Sequence, residues 1–218
     1  MCGRVANTLP PDAMVRLFAA APSNNLAEAG NYNLCPTEAI NVCWSGETGR
    51  RLSAMRWGFI PHWYKKPNDG PLLINARSET VAEKPAFRDA VRHRRCLIAI
   101  GGFYEWDRAG DQKLPFYIHR RDETPMVLAG IWQDWSQGDD TLTTCAMLTT
   151  QARGKMADIH HRIPVILEPD DWGLWLGEEG KGAARLMTSA PDDVYQMYRV
   201  GTAVNSNRAS GADLISPL

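Results

Sequence analysis

Cys2 stands directly behind the initiator methionine and ahead of Gly3 and Arg4. Met1 is routinely removed before a residue this small, and removal leaves one residue carrying an α-amine and a thiol on adjacent carbons. Their ordinary pKa values, ~7.7–8.0 and ~8.5, leave a usable fraction of each nucleophilic near neutral pH. Two chemistries are open to such an aminothiol. The thiolate can attack a carbonyl as an N-terminal hydrolase nucleophile with the amine as its base. Alternatively, the amine can condense with an aldehyde and the thiol can close a five-membered thiazolidine. Taken alone, a Cys at position 2 is also what chance composition produces.

Other polar residues sit where core-building alone would not put them. Glu105 lies between aromatics in Gly102-Phe103-Tyr104-Glu105-Trp106. A carboxylate in such surroundings tends to titrate near neutrality and can transfer protons. An alternating strand with Glu105 facing solvent explains the pattern equally well. His160 and His161 precede Arg162-Ile163-Pro164 at a strand entrance, a loop position of the kind that carries chemistry. Adjacent side chains point differently, so one histidine is a bystander. Neither has partners at zinc-ligand spacing. Asn75 leaves the apolar run Pro71-Leu72-Leu73-Ile74, where a turn-forming role is the plainer reading. Trp63 and Tyr64 end an aromatic loop that starts at Trp57; they are loop anchors or stacking platforms for exposed bases. Together these supply a nucleophile, a proton-transfer His, a carboxylate acid/base and an amide donor, an inventory for attack on a carbonyl.

Composition narrows the setting. A chain of 218 residues fits one domain spanning 1–218 with a sizeable core. The formal charge of -1 excludes a protein that is basic all over, so any nucleic-acid contact must be a local patch. Arginine outnumbers lysine 18 to 6, and guanidinium forks hold phosphate bidentately. Five cysteines without Cys-x-x-Cys spacing indicate free thiols in a reducing, cytosolic protein. The N-terminus lacks an apolar signal region, and no run of about 18 apolar residues is present to span a membrane.

The elements that must position these residues are short. Residues 11–21 read as a helix with an acidic first turn, Pro85–Arg95 as a basic amphipathic helix, and Asp170–Leu176 as a short helix. Strands are expected at Ala39–Trp44 and Leu52–Trp57 around a Ser45–Arg50 turn. A second pair, Cys96–Trp106 and Leu114–His119, flanks an Ala109-Gly110-Asp111 turn signal. Met126–Trp132, Thr141–Leu148, Ile163–Leu167 and Val194–Val200 are further strands, and 58–72, interrupted by Gly and Pro, is a loop. The fold class is α+β, with antiparallel strands in a barrel-like core and short peripheral helices.

The chain resembles the SOS-response-associated peptidase (SRAP) family, whose members crosslink to abasic sites in single-stranded DNA. The resemblance rests on an ordered set of motifs: Met1-Cys2-Gly3-Arg4, Tyr32-Asn33-Leu34-Cys35-Pro36, Trp57-Gly58-Phe59-Ile60-Pro61-His62-Trp63, Asn75-Ala76-Arg77-Ser78-Glu79, Gly102–Trp106 and His160–Pro164. Each is short, but their joint occurrence over nearly the whole chain is specific. Cys35 and Ile163 depart from the expected pattern as apolar exchanges, and Pro67–Pro71 is slightly expanded. The resemblance implies Cys2 as the covalent residue, with Asn75, Glu105 and His160 around it, and selects His160 over His161. It also implies that Arg4, Arg77 and Arg162 hold backbone phosphates, with Trp63 and Tyr64 along the strand. The implied partner is single-stranded DNA containing abasic sites, met by a monomer without metal, organic cofactor or membrane. Cysteine-type peptidase activity, including self-removal of Met1, belongs to the same resemblance. The alternative is an N-terminal-nucleophile hydrolase, a peptidase or an amidotransferase, since class II amidotransferases share the opening Met-Cys-Gly.

Overall fold

The apolar run Cys96–Trp106 has the look of one strand. In the computed structural model, which describes residues 2–107, 110 and 112–218, it is divided between two sheets. In chain order the strands are β1 (Val5–Asn7), β2 (Ala21–Pro22), β3 (Asn31–Leu34), β4 (Ala39–Gly46), β5 (Gly49–Trp57), β6 (Asn75–Arg77), β7 (Arg95–Ile100) and β8 (Gly102–Asp107). They continue with β9 (Leu114–Arg120), β10 (Met126–Gln137), β11 (Asp140–Gln151), β12 (Arg162–Pro164) and β13 (Tyr195–Arg199). Helices are α1 (Pro11–Phe18), α2 (Arg88–His93), α3 (Gly154–Ile159) and α4 (Trp172–Leu176).

β7 belongs to the larger sheet, where it pairs antiparallel with β10 and β4. β8 belongs to the smaller one, ordered β13-β9-β8-β1-β3. The change of sheet falls at Gly101-Gly102, where neighbouring chain leaves no space for a side chain. A Cβ at Gly101 would stand 2.2 Å from Thr8 Oγ1, and one at Gly102 would stand 2.5 Å from the Ile118 carbonyl oxygen. Apolar periodicity is blind to such a switch, which explains why the run reads as a single strand.

The larger sheet closes on itself. β11, β10, β7, β4 and β5 pair in succession, and a parallel contact of Thr144 and Cys145 on β11 with Arg56 and Trp57 on β5 completes the ring. Closure protects the edges that an open sheet would expose. β6 and β12 attach to β11, with Asn75 opposite Met147 and Ile163 opposite Thr150. The architecture is the expected α+β one, with a mostly antiparallel, barrel-like core and short helices at its periphery.

Side-chain alternation divides the strand residues between two large clusters. Leu97, Ala99, Val127, Ala129, Ala146 and Leu148 pack with Met14 and Phe18 of α1, Val91 of α2 and Trp175 of α4. Their neighbours Cys96, Ile98, Ile100, Leu128 and Met147 pack with Val5, Leu34, Phe103 and Ile118 of the second sheet, and with Cys2. Each fully buried aliphatic side chain contributes roughly 1.5–3 kcal/mol. Cys2 is thereby fixed in the seam between the sheets.

Boundaries depart from expectation in interpretable ways. α1 stops at Phe18 because Ala19 turns left-handed (φ 48°). α2 covers only the centre of the expected Pro85–Arg95 helix. β4 and β5 extend to a tighter turn, Gly46 opposite Gly49. Part of the Ala109-Gly110-Asp111 turn and the fate of Met1 lie outside the described residues. Among the described residues no helix is long and apolar enough to cross a membrane.

Candidate active site

Cys2 is 1% exposed and packs among Val5, Phe103 and Met156. Burial pushes its thiol well above the ordinary cysteine range, and the charge of Glu105 adds to the effect. The sulfur therefore rests as a thiol at neutral pH and needs a base when it reacts. The Cys2 carbonyl accepts a 2.7 Å hydrogen bond from Asn75 Nδ2, so β6 holds Cys2 in place across 73 positions of sequence. Asn75 Oδ1 is buried and, among the described residues, accepts no hydrogen bond. It is an acceptor held ready in the site.

Glu105 faces inward. Tyr104 and Trp106 take the opposite face of β8, in a cluster with Ala6, Tyr117 and Val200, while Phe103 joins the cluster that contains Cys2. Strand alternation then puts Glu105 on the Phe103 side, where it is 3% exposed. Its Oε1 lies 3.8 Å from His160 Nδ1. The outward-facing reading of Glu105 is thus replaced by a buried carboxylate beside an imidazole.

His160 terminates α3, its backbone N–H bonded to the Met156 carbonyl at 2.9 Å. Its Nδ1 is 3.0 Å from the Arg162 N–H and 3.2 Å from the Arg162 carbonyl oxygen. A neutral ring can accept from the first, and a ring protonated at Nδ1 can donate to the second. Both protonation states find a partner on one residue, a suitable arrangement for a group that passes protons. Burial lowers the His160 pKa from its ordinary 6.5, against the raising effect of Glu105. The neutral imidazole is therefore the resting form near pH 7. His161 is exposed, its ring centroid 4.3 Å from that of His160.

The direction of that shift carries a stability prediction. The native state resists protonating His160, whereas the unfolded chain takes the proton at about 6.5. The contribution of neutral His160 is fully present above that value and is lost as pH falls toward the lower folded pKa. Melting temperatures of the wild type and His160→Gln should diverge over this window, the wild type losing stability faster as acid is added. Parallel pH dependences would show that burial does not control this imidazole.

The three arginines are placed differently. Arg162 is buried, its fork bonded to Glu79 Oε1 at 2.7 Å and Oε2 at 2.9 Å, with further bonds to the carbonyl and hydroxyl of Thr149. That contact holds the Glu79 carboxyl below the usual carboxylate range. Arg4 bonds Asn33 Oδ1 and the Val204 carbonyl, and its guanidinium lies 5.9 Å from the Trp106 ring centroid. Arg77, two residues beyond Asn75 on β6, is exposed and makes no side-chain hydrogen bond or ion pair among the described residues. Trp63 is 48% exposed and stands edge-on to His62 and Tyr64. The loop beneath it is anchored by Trp135 Nε1 donating to the Tyr64 carbonyl at 2.8 Å. Cys2, Asn75, Glu105 and His160 form one group, Arg77 and Trp63 are left open to solvent, and Arg4 and Arg162 hold the framework.

Sequence reasoning missed the supports of this group. Glu79 was visible only as the end of a motif. Asp192 received no attention, yet its carboxylate accepts from the Lys155 N–H at 3.2 Å and from the Tyr195 hydroxyl at 3.0 Å. These contacts fix the first turn of α3, whose far end carries His160. Gly154 is required there, since φ is +50° and a Cβ would stand 1.8 Å from Asp192 Oδ2. Among the described residues no group of three or more His, Cys, Asp or Glu side chains is placed to hold a metal ion.

The chain is 36% identical over 191 residues to the abasic site processing protein YoaM of Bacillus subtilis, covering 85% of this chain and 84% of that one. It is 30% identical over 226 residues to the abasic site processing protein YedK of Escherichia coli, covering 100% of both. A crystal structure of a protein from Bacteroides thetaiotaomicron has the same fold, with TM-score 0.87 at 21% identity over 100% of both chains. Residues 1–207 match the SOS response associated peptidase (SRAP) family, and the chain belongs to that family.

Proposed function

We propose that this protein processes abasic sites in single-stranded DNA by forming a thiazolidine crosslink through Cys2 once Met1 has been removed. The observation that carries the reading is the convergence of Asn75 and the Glu105–His160 pair on a buried residue 2. The names of the relatives supply the substrate class, abasic sites, and the site supplies residues suited to an aldehyde. An abasic deoxyribose is mostly a closed ring, with little free aldehyde. Glu105 moves the proton that opens it. The α-amine of Cys2 adds to the aldehyde carbon and water leaves, giving an imine. The Cys2 sulfur then adds to the imine carbon while its proton passes to nitrogen, with His160 as the carrier. The sum is aldehyde plus aminothiol giving thiazolidine plus water, and no oxidant, metal or cofactor takes part. Asn75 Oδ1 accepts from the hydroxyl of the opened sugar and orients the adduct. The test is incubation with DNA containing an abasic site, followed by denaturing electrophoresis and intact mass. Absence of a denaturant-stable adduct would remove the proposal.

The N-terminal hydrolase alternative differs in order, since it draws on the sulfur first with the α-amine as its base. The present reading lets the amine react first and calls on the thiol only at ring closure.

Phosphate contact is assigned first to Arg77, which is exposed and makes no side-chain hydrogen bond or ion pair among the described residues. Losing one phosphate contact on a single strand should reduce the magnitude of the log–log salt slope by about 0.7. Arg77→Ala is expected to weaken binding with that change of slope and little change in melting temperature. Arg162→Ala should do the reverse. It empties the Glu79–Thr149 contact beneath the His160 loop, costs about 1–3 kcal/mol of stability, and leaves the slope unaltered. Fluorescence anisotropy across a salt series, beside thermal melts, separates the two. Exchanged outcomes would place Arg162 on the DNA and Arg77 off it.

A further inference from the structure

Away from Cys2, α2, α4 and the Gly177–Gly182 turn enclose a cavity of about 400 Å³. Val91, Ala183 and Met187 give it an apolar side, with the buried Trp175 behind them, and Arg92, Arg95 and Lys181 are the charged residues in its lining. No carboxylate lines it, although the turn sequence is Gly177-Glu178-Glu179-Gly180-Lys181-Gly182. Both acids of that turn are engaged elsewhere. Glu178 is held by Arg50 at 2.8 Å, and Glu179 lies against Gly173, where a Cβ would meet Oε1 at 2.1 Å. The fold has sorted its charges, sending anions outward and leaving cations around the hollow.

Arg95 is the most telling member. Its Nε donates to the Trp175 carbonyl, and its Nη1 donates to the carbonyls of Val91 and Arg92 at 2.9 and 3.0 Å. The guanidinium carbon lies 5.8 Å from the Trp175 ring centroid. Among the described residues no carboxylate bonds Arg95, and Nη2 makes no hydrogen bond. Gly177 leaves that nitrogen uncovered, since a Cβ there would stand 2.9 Å away. A half-buried arginine fixed by neutral carbonyls, with Nη2 beside Gly177 of the same lining, is oriented but not neutralised. Its burial lowers the Arg95 pKa with no opposing charge to offset the effect. A bound anion would supply the missing partner.

We propose that this cavity is a binding site for a phosphomonoester on an apolar or aromatic body, of mononucleotide size, separate from the Cys2 site. Three cations in a lining whose nearest acid is Asp89, which acts on Arg92 from outside it, suit a head group carrying close to two negative charges at pH 7, as a phosphomonoester does. A monocarboxylate would leave most of that charge uncompensated. The volume falls within the range usual for small-molecule sites, about 300–1,000 Å³, and Val91, Ala183 and Met187 give one side of the lining an apolar character.

Isothermal titration of the full chain with deoxyadenosine 5′-monophosphate tests this, against deoxyadenosine, inorganic phosphate and indole-3-acetate. The monophosphate should bind at least tenfold tighter than each of the other three. Arg92→Ala combined with Lys181→Ala, both at exposed positions, should weaken it at least tenfold while abasic-site crosslinking stays at the wild-type rate. Arg77→Ala should leave nucleotide binding unchanged. The site as proposed is overturned by no measurable binding at millimolar nucleotide, or by inorganic phosphate or indole-3-acetate binding as tightly. It is equally overturned if Arg77→Ala weakens nucleotide binding as much as the double variant, since the ligand would then occupy the DNA path. Failure here leaves the Cys2 chemistry untouched, because crosslinking is read on a different substrate.

Discussion

Insertion of one alanine between Met1 and Cys2 is expected to abolish the durable adduct while leaving a cysteine thiol in the protein. The thiazolidine needs amine and thiol on adjacent carbons, and the insertion converts the Cys2 amine into an amide nitrogen, which does not form an imine. Removal of Met1 then exposes an alanine amine, whose imine has no neighbouring sulfur to close on. Such an imine hydrolyses under denaturing conditions unless borohydride reduces it first. Cys2→Ser is the complementary variant, keeping the amine and exchanging sulfur for a much weaker nucleophile. It should yield a reducible imine and little stable product. The site is sensitive to both changes for a structural reason. Residue 2 is buried, and Asn75 holds its carbonyl at 2.7 Å, so the sulfur stays in place while an amine one residue earlier is separated from it by a peptide unit. Equal yields of stable adduct from the inserted and native proteins, by intact mass, would eliminate the aminothiol mechanism.

How much of this was legible in the sequence depended on the range of the information. Segments such as Ala39–Trp44 and Thr141–Leu148 announce their strands as runs rich in apolar and β-branched residues next to turn signals. β1, β3 and β6 span three or four residues each and have no period to detect. They are strands only because partners distant in sequence offer hydrogen bonds. The polar residues at Cys2, Glu105 and His160 were visible as anomalies, but their meeting was not, since it depends on the sheet switch at Gly101-Gly102 and on α3. The resemblance implies phosphate contact for Arg4, Arg77 and Arg162 alike. The structure distinguishes Arg77, open to solvent, from Arg162, closed on Glu79, and that difference lies in tertiary pairing rather than in any local pattern. The cavity by Arg95 gave no sequence signal, because its cations come from α2, β7 and the turn after α4.

Glu105→Gln is expected to slow adduct formation on a natural abasic site by about 10²–10⁴-fold, the usual contribution of a positioned acid or base. Glutamine preserves the shape of the side chain and its capacity to hydrogen-bond, yet it cannot carry the proton that opens the sugar ring. A sugar analogue locked as the open aldehyde removes that step, so it should restore much of the lost rate to Glu105→Gln. His160→Ala should remain slow on both substrates, because its neutral imidazole acts after opening, when the buried thiol must give up a proton to close the ring. The resting states agree with this order: burial and Glu105 keep the Cys2 sulfur protonated, and burial keeps His160 neutral. Exposed His161 should be nearly silent when changed to alanine. Glu105→Gln also removes a negative charge near the sulfur, which lowers the thiol pKa and favours ring closure. On the open analogue this variant can therefore equal the wild type or exceed it. Single-turnover time courses on both substrates distinguish the roles. Equal slowing of Glu105→Gln on the closed and open sugars would take ring opening away from Glu105. Damage from His161→Ala matching that from His160→Ala would mean that the imidazole 3.8 Å from Glu105 is not the proton carrier.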